Sequence, residues 1–98
     1  MPKAYWVSCY RSVSDESALM RYAKAAGPAI EGHGGRFLAR GTAAKWYEAG
    51  LAQRVVIVEF ASLDAAVAAH ESPEYQAALA ILGRAAERDL RFVEGVIP

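Results

Sequence analysis

The segment Arg54–Phe60 contains an unbroken run of four β-branched apolar residues, and this run constrains the fold more than any other feature of the chain. Successive side chains of a strand point to opposite faces of a sheet, so the run predicts a central strand with apolar groups on both faces. The segment Ala4–Tyr10 likewise carries apolar or aromatic groups at both its odd and its even positions. Both strands therefore need cover on both faces.

The composition indicates that one copy of the chain has too little apolar volume to provide this cover. Of the 98 residues, 54% are hydrophobic, but 21 are alanine and only 22 are Val, Ile, Leu or Phe. Alanine buries little area, and a domain of this size hides only about 60–70% of its unfolded surface. We therefore expect one domain over residues 1–98 and a second copy of the chain as its partner.

Charge and cysteine content exclude several classes of protein. Eleven basic residues balance eleven acidic ones, whereas a nucleic-acid-binding protein normally has a basic excess. No apolar stretch approaches the roughly 18 residues of a membrane span, and the start MPKAYWVSCY lacks the features of a signal peptide. The single cysteine cannot form an internal disulfide, which fits a reducing compartment. We expect a cytoplasmic protein that binds neither nucleic acid nor membrane.

A helix is predicted between the first two strands. Ser14-Asp15-Glu16 combines a capping hydroxyl with acidic groups in the first turn, and apolar residues then recur at helical spacing as far as His33. Gly27-Pro28 predicts a kink or a short break, because proline removes one helical hydrogen bond. Gly34-Gly35 ends the helix and supplies the positive φ that the chain needs to return into a strand.

The second strand is predicted over Arg36–Arg40. Strict alternation places Phe37 and Ala39 on one face of this strand, and the three other residues on the opposite face. The segment from Gly41 to Gln53, with strand-like residues at 45–48, predicts a long, bulged hairpin.

An interrupted helix and a last strand complete the pattern. Ser62 begins the helix, and Ser72-Pro73-Glu74 restarts it with a capping serine and a proline at the first helical position. Gly83 ends that run, although Arg84–Glu87 is compatible with one more turn, and Leu90–Val96 predicts the last strand.

The resulting order, βαββαβ, predicts an α+β protein with the ferredoxin-like fold. Two right-handed crossovers and a central hairpin give a four-stranded antiparallel sheet with both helices on one face. The other face would be polar in a monomer, yet the two central strands are apolar there. Packing two sheets face to face in a two-fold homodimer resolves the conflict.

The chain also resembles a known family, the small uncharacterised bacterial proteins grouped as domain-of-unknown-function family 1330 (DUF1330). This family belongs to the dimeric α+β barrel superfamily. The resemblance spans nearly the whole chain and is carried by Ala4–Val7, Gly34–Gly41, Arg54–Phe60, Ser72–Gln76 and Val93–Gly95. It implies the same βαββαβ fold and a dimer, and it brings no assigned reaction. The superfamily includes cofactor-free monooxygenases, lactone isomerases and haem-binding enzymes that share a pocket between sheet and helices.

No cofactor is expected from the residues. His33 and His70 are far apart in the sequence, Cys9 stands alone in a strand, and no acidic pair lies at helical spacing from either histidine. A chain of this size also offers little volume to enclose a haem. The sequence therefore predicts no metal site, no haem and no other cofactor.

Glu59 and His70 are the candidate catalytic residues. Glu59 interrupts the most apolar strand, and a buried carboxylate needs a cationic or hydrogen-bonding partner. It is either a general base or ligand anchor with a perturbed pKa in a pocket, or half of a structural ion pair, within the chain or across the dimer interface. The candidate partners are Arg36, Arg40, Arg54 and Arg84. His70 lies on a predicted apolar helix face, as either a catalytic group or a structural histidine bonded to a carbonyl.

The candidate ligand-binding residues are Arg36, Tyr75, Tyr22, Trp6 and Arg84. Arg36 follows two glycines that leave the backbone open, and its guanidinium can hold a carboxylate through two hydrogen bonds. Trp6, Tyr22, Trp46 and Tyr75 can line an aromatic pocket, although aromatic residues at such spacings more often form core. We expect the pocket between helices and sheet, where Gly34-Gly35-Arg36 approaches the helix that carries Tyr75.

Two classes of function remain open from the sequence. The first is a cofactor-free oxygenase or isomerase that acts on a small apolar or aromatic carboxylate. The second is a non-catalytic dimeric module that binds a small molecule or simply assembles. A well-formed apolar pocket with two or more convergent polar groups favours the first class, and a pocket collapsed on alanines and tyrosines favours the second.

Overall fold

The structure, a computed structural model, describes residues 2–97 of the chain. Seven elements follow one another along it. They are β1 (Ala4–Val13), α1 (Glu16–Gly32), β2 (Arg36–Thr42), β3 (Arg54–Phe60), α2 (Leu63–Glu71), α3 (Pro73–Leu82) and β4 (Ala86–Glu94). Within the described residues, none of the helices has the length and apolar character needed to cross a membrane.

The four strands form one antiparallel sheet in the order β2-β3-β1-β4. With α2 and α3 together in the place of the second helix, this is the predicted ferredoxin-like βαββαβ arrangement, so the fold prediction is confirmed. β1 and β3 are the two central strands, as their apolar runs indicate. The prediction succeeds because a strand with apolar groups on both faces is stable only in the middle of a covered sheet.

The helix-facing side of the sheet forms the core. Every second residue of β1 from Ala4 to Tyr10 is buried, and β3 contributes Val56, Val58 and Phe60 in the same way. The indole of Trp6 is the centre of this layer, because its ring lies within 6.1 Å of the ring centroids of Phe60, His70, Tyr75 and Phe92. The opposite side, called here the open face, carries the intervening residues of each strand.

A β-bulge at Leu38 corrects the predicted faces of β2. Arg36 pairs with Glu59, and Phe37 pairs with Val58, but the next paired residue is Ala39. Because the extra residue resets the alternation, Arg40 lies on the helix-facing side together with Phe37. The guanidinium of Arg40 indeed lies 4.4 Å from the centroid of the Phe37 ring. Strict alternation was therefore wrong for Arg40.

Helix α1 differs from the prediction at its start and in its middle. The capping side chain is the carboxylate of Asp15, which accepts a hydrogen bond from the backbone N–H of Ala18 at 3.1 Å. Ser14 instead donates its hydroxyl to the carbonyl of Ala85. The helix also continues through Pro28 without a break, because Ala26, Ala29 and Ile30 remain buried on either side of it. Core packing outweighs the loss of one backbone hydrogen bond.

Two predicted segments have different bounds. Residues 43–53 form an irregular loop, closed by a hydrogen bond from Ala43 N–H to the carbonyl of Gln53, and residues 45–48 belong to no strand. Helix α3 ends at Leu82, and Gly83 follows it with a positive φ of 53°. The chain therefore enters β4 already at Ala86 rather than at Leu90, and β4 ends at Glu94.

Gly35 supplies a test of how closely α1 packs on the sheet. A Cβ atom at this position would lie 2.5 Å from Ile30 Cγ2, 2.8 Å from Phe60 Cζ and 2.9 Å from the Ile30 carbonyl oxygen. We expect Gly35→Ala to lower the free energy of unfolding by about 1–3 kcal/mol, because a methyl group cannot be accommodated without shifting backbone. Urea denaturation measures the change.

Gly32→Ala is the matched control for this substitution. Gly32 is the last residue of α1, and a Cβ atom there has nothing within 4 Å. The free energy of unfolding should stay the same or rise by up to about 1 kcal/mol. Equal stability of the two variants would contradict the close packing at Gly35.

Candidate functional site

A cleft between α1 and the helix-facing side of the sheet is the candidate functional site. It spans about 390 Å³ out to its open mouth, of which about 30 Å³ is open to a water-sized sphere, room for one or two water molecules. Its apolar walls come from both layers. They include Ala23, Ala26 and Ile30 of α1, Trp6 of β1, Phe37 of β2 and Val56 of β3.

Three arginines line this cleft, and none of the lining residues is acidic. Arg40, Arg54 and Arg88 reach it from β2, β3 and β4. Within residues 2–97, none of the three has a carboxylate within 4.0 Å, whereas Arg11 and Arg91 both pair with Asp89 elsewhere. Arg54 and Arg88 are partly buried, while Arg40 is exposed. Because a cation partly removed from water requires compensation, a carboxylate partner is the usual arrangement for the first two. The cleft therefore has an excess of positive charge.

Two buried phenols hold Arg88. The hydroxyl oxygens of Tyr22 on α1 and Tyr75 on α3 are 2.7 Å apart, and Arg88 donates one N–H to each of them, at 3.0 and 3.3 Å. The guanidinium carbon also lies 5.1 Å from the centroid of the Tyr22 ring, within the range of a cation–π interaction. Tyr75 is placed by Ser72, whose hydroxyl accepts the Tyr75 backbone N–H as the cap of α3.

In the cluster of Tyr22, Tyr75 and Arg88, one hydroxyl hydrogen has no acceptor. Tyr22 and Tyr75 each have one hydroxyl hydrogen, and only one of the two can lie between their oxygens. Arg88 can only donate. One phenolic hydrogen therefore has no acceptor among the described residues. Of the two tyrosines, Tyr22 lines the cleft.

The surroundings fix the protonation states in the cluster. Burial raises the pKa of Tyr22 well above its usual value of 10.0, and it outweighs the opposing effect of the Arg88 charge. Burial alone would lower the pKa of Arg88, but the oxygens of Tyr22 and Tyr75 raise it by more. At neutral pH the site thus holds a neutral phenol that can donate a hydrogen bond and a guanidinium that stays charged.

Two further donors in the cleft have no partner. The hydroxyl of Ser8, a residue only 1% exposed, and the Nε of Arg54 make no hydrogen bond with any described residue. Unsatisfied buried polar groups are uncommon in folded proteins. Ser8, Tyr22 and the three arginines together make the cleft rich in donors and poor in acceptors. Such a cleft can bind a molecule that brings acceptor oxygens.

His70, a predicted catalytic residue, lies outside the cleft lining. Its ring packs 5.6 Å from Trp6 and 5.1 Å from Tyr75, and its Nδ1 lies 3.2 Å from the carboxylate of Glu71. His70 therefore packs against the rings of Trp6 and Tyr75 but does not itself line the cleft.

Glu59, the other predicted catalytic residue, lies on the open face of the sheet. Its carboxylate pairs with Lys3 at 3.3 Å and accepts a hydrogen bond from the Tyr5 hydroxyl at 3.4 Å. Within one chain its partners are Lys3 and Tyr5, so the predicted arginine partner is wrong there. The sheet separates Glu59 from the cleft, because it alternates with the buried Val58 and Phe60.

The predicted ligand-binding residues divide into two groups. Trp6 and Tyr22 line the cleft, and Tyr75 joins it through Tyr22. Arg36 lies opposite Glu59 in the register of β2 and β3, on the open face, and Arg84 is exposed between α3 and β4, so neither reaches the cleft. The expected rim at Gly34-Gly35-Arg36 is likewise not part of its lining.

Sequence reasoning missed several residues of the site. The bulge hid Arg40, and the assignment of the last strand from Leu90 left Arg88 outside it. The sequence did contain a signal for an earlier start of this strand. The alternation of Leu90 and Phe92 with the charged Asp89 and Arg91 continues back to Arg88. Ser8 and Arg54 carry no such signal. Over residues 2–97, no group of three or more His, Cys, Asp or Glu side chains is placed to hold a metal ion.

Comparisons with known proteins agree with the fold. A family model described as "Domain of unknown function (DUF1330)" matches residues 3–96. Curated proteins gave no match. The protein of unknown function RPA0582 from Rhodopseudomonas palustris is similar at 20% identity with a TM-score of 0.74, over 99% of this chain and 85% of the other.

Two other solved structures are informative. A dimeric ferredoxin-like protein of unknown function from Thermobifida fusca has a TM-score of 0.66 at 17% identity, covering 95% of this chain and 91% of its own. SnoaB, a cofactor-independent oxygenase from Streptomyces nogalater, has a TM-score of 0.64 at 10% identity, covering 100% and 97%. At these identities the similarity establishes a shared fold.

The raised pKa of Tyr22 predicts how stability changes in alkali. In the unfolded chain Tyr22 ionises near its ordinary pKa of 10.0, while in the folded chain it stays protonated to higher pH. Its contribution to stability is therefore complete below about pH 10 and is lost as the pH rises above it, by at most about 1.4 kcal/mol per pH unit. Urea unfolding at pH 8 and pH 11 measures this loss.

Tyr22→Phe should make this alkaline loss smaller. Tyr47→Phe, which removes an exposed phenol on the 43–53 loop, should leave it as in the wild type. An identical alkaline loss in wild type and Tyr22→Phe would show that Tyr22 ionises like an exposed tyrosine.

Proposed function

The chain belongs to the DUF1330 family, and from the geometry of the cleft we propose that it binds a small apolar or aromatic carboxylate there. One observation carries the proposal: Arg40, Arg54 and Arg88 line an apolar cleft without an acidic partner among the described residues. A guanidinium offers paired N–H donors that match the two oxygens of a carboxylate.

The walls of the cleft support an apolar body for this molecule. Ala26, Ile30, Phe37 and Val56 surround the arginines, so an apolar group would leave water on binding, which is favourable. The inner space takes only one or two water molecules, so the cleft must widen for a ligand. Arg40 can allow this, because its side chain is exposed and rests on the Phe37 ring at the mouth.

A second candidate function is catalysis without a cofactor, as an oxygenase or isomerase acting on such a molecule. It is supported by the pair formed by Tyr22 and Arg88, which can donate to an oxygen that becomes negative during a reaction. SnoaB, which shares the fold, is a cofactor-independent oxygenase. Neither Glu59 nor His70 lines the cleft, so a base would have to be the substrate itself or water. Binding is therefore the function that the geometry supports best.

Binding of benzoate, compared with neutral benzamide, tests the proposal. We expect benzoate to raise the melting temperature of the wild-type protein and benzamide to have little effect, because only the anion can compensate the arginines. In the Arg54→Gln variant the shift caused by benzoate should fall to less than half. Differential scanning fluorimetry measures these shifts.

Arg36→Gln is the matched control, because it removes the same charge on the open face. It should leave the effect of benzoate unchanged. Equal shifts with benzoate and benzamide, or equal losses in both variants, would contradict an anion site in the cleft.

We also propose that the chain forms a homodimer through the open face of the sheet. Val7, Val55 and Ile57 lie on this face only half-buried, and Val93 is 54% exposed beside them. Face-to-face packing of two sheets would cover these side chains and would place the Lys3–Glu59 pair at the interface. The dimeric Thermobifida protein of the same fold supports this assembly.

Light scattering at low micromolar concentration tests the assembly. The chain has a mass of 10.6 kDa, and we expect about twice that value, roughly 21 kDa, for the wild type. Ile57→Lys should reduce the mass to that of one chain, since it places an unpaired charge in the interface. Val67→Lys, at an exposed site on α2, should stay dimeric. A folded wild-type monomer would contradict the proposal.

A further inference from the structure

Resting on the proposed function, we infer that the carboxylate bound in the cleft is a 2-oxo acid, whose oxo oxygen accepts from Ser8 and Tyr22. The arginines account for a carboxylate, but they do not account for the two neutral donors, Ser8 and Tyr22, that line the cleft from its two sides. These donors call for a second oxygen on the same molecule.

Ser8 is the first of these donors. Its residue is 1% exposed, its side chain lines the cleft from the middle of central strand β1, and its hydroxyl has no partner within residues 2–97. Alanine would fill the same position without an unsatisfied group, and alanine is abundant in this core. A buried hydroxyl left without a partner is destabilising, which a bound acceptor oxygen would relieve.

Tyr22 is the second donor, and it comes from the opposite wall. Its residue is 6% exposed on α1, its phenol stays protonated, and one hydroxyl hydrogen of the Tyr22–Tyr75 pair is unused. When Tyr75 donates to Tyr22, the hydrogen of Tyr22 is free for the cleft. Arg88 donates to the same phenol oxygen, which makes Tyr22 a stronger donor.

The sheet register places the charged and neutral donors side by side. Ser8 pairs with Val56 of β3 and with Leu90 of β4. Arg54 and Arg88 each lie two residues from those partners, so they are the diagonal neighbours of Ser8 on the same face, with Cα atoms about 7–8 Å away. Arg54 also carries the second unpartnered donor, its Nε. Ser8 therefore shares one face of the sheet with both arginines, so a single small molecule can contact the Ser8 hydroxyl and a guanidinium together.

This arrangement fits the two oxygen groups of a 2-oxo acid. The carboxylate carries the charge and pairs with an arginine, while the uncharged oxo oxygen can enter the buried floor at a lower desolvation cost than a second carboxylate. The side chain of the acid would lie against Ile30, Phe37 and Ala26. The ligand class of the cleft is therefore a 2-oxo acid with a small apolar side chain.

Isothermal titration with two matched acids tests this inference. 4-Methyl-2-oxopentanoate and 4-methylpentanoate differ only in the oxo group. We expect the oxo acid to bind the wild-type protein about 5–100-fold more tightly, the effect of two hydrogen bonds. Ser8→Ala and Tyr22→Phe should each reduce this ratio towards one. Ser12→Ala, an exposed serine on the same strand, should keep the wild-type ratio.

The outcomes separate the inference from the function on which it rests. If both acids bind the wild type equally well, or if the ratio survives Ser8→Ala and Tyr22→Phe, the oxo-acid inference is overturned while the carboxylate site stands. If neither acid binds, the carboxylate site itself is overturned, and the inference with it. The comparison on the wild-type protein requires no variant, so it decides even where a substitution prevents folding.

Discussion

A guanidinium held by two phenols is the interaction on which the site depends. Arg88 comes from β4, Tyr22 from α1 and Tyr75 from α3, so one cluster joins the last strand to both long helices. A buried cation is usually compensated by a carboxylate, and here two neutral oxygens do this instead. The charge of Arg88 is therefore satisfied by hydrogen bonds but not neutralised. This positive charge, together with the charges of Arg40 and Arg54, gives the cleft its excess of positive charge.

The sheet separates two chemical environments. On the helix-facing side, β1 presents Trp6, Ser8 and Tyr10 to the core and the cleft. On the open face, the same strand carries Tyr5, Val7 and Cys9, and the carboxylate of Glu59 is compensated there by Lys3 and Tyr5. The carboxylate of Glu59 is thus kept on the face away from the three arginines of the cleft. Since side chains alternate along a strand, one residue of register decides whether a charged group belongs to the cleft or to the open face.

Local details of the backbone set the composition of the cleft. The bulge at Leu38 turns Arg40 towards α1, and the early end of α3 at Leu82 lets β4 begin soon enough to include Arg88. Ser72 ends α2 and caps α3, and this places Tyr75 in the first turn of α3, where its hydroxyl meets that of Tyr22. Each feature is small in energy. Together they bring three arginines and two phenols to one site.

The sequence by itself determined the element order, the two central strands, the cap at Ser72 and the ferredoxin-like sheet. These follow from local periodicity and capping, which act within a few residues. It also singled out Trp6, Tyr22 and Tyr75 as aromatic residues of a pocket or of the core, but Trp46, singled out with them, is 49% exposed on the 43–53 loop. Only the tertiary structure decided that Glu59 faces away from the cleft and that Arg40, Arg54, Arg88 and Ser8 line it. The reason is physical: a bulge or a shift of strand start by one or two residues changes which face a side chain occupies, and only the pairing of strands distant in sequence fixes it.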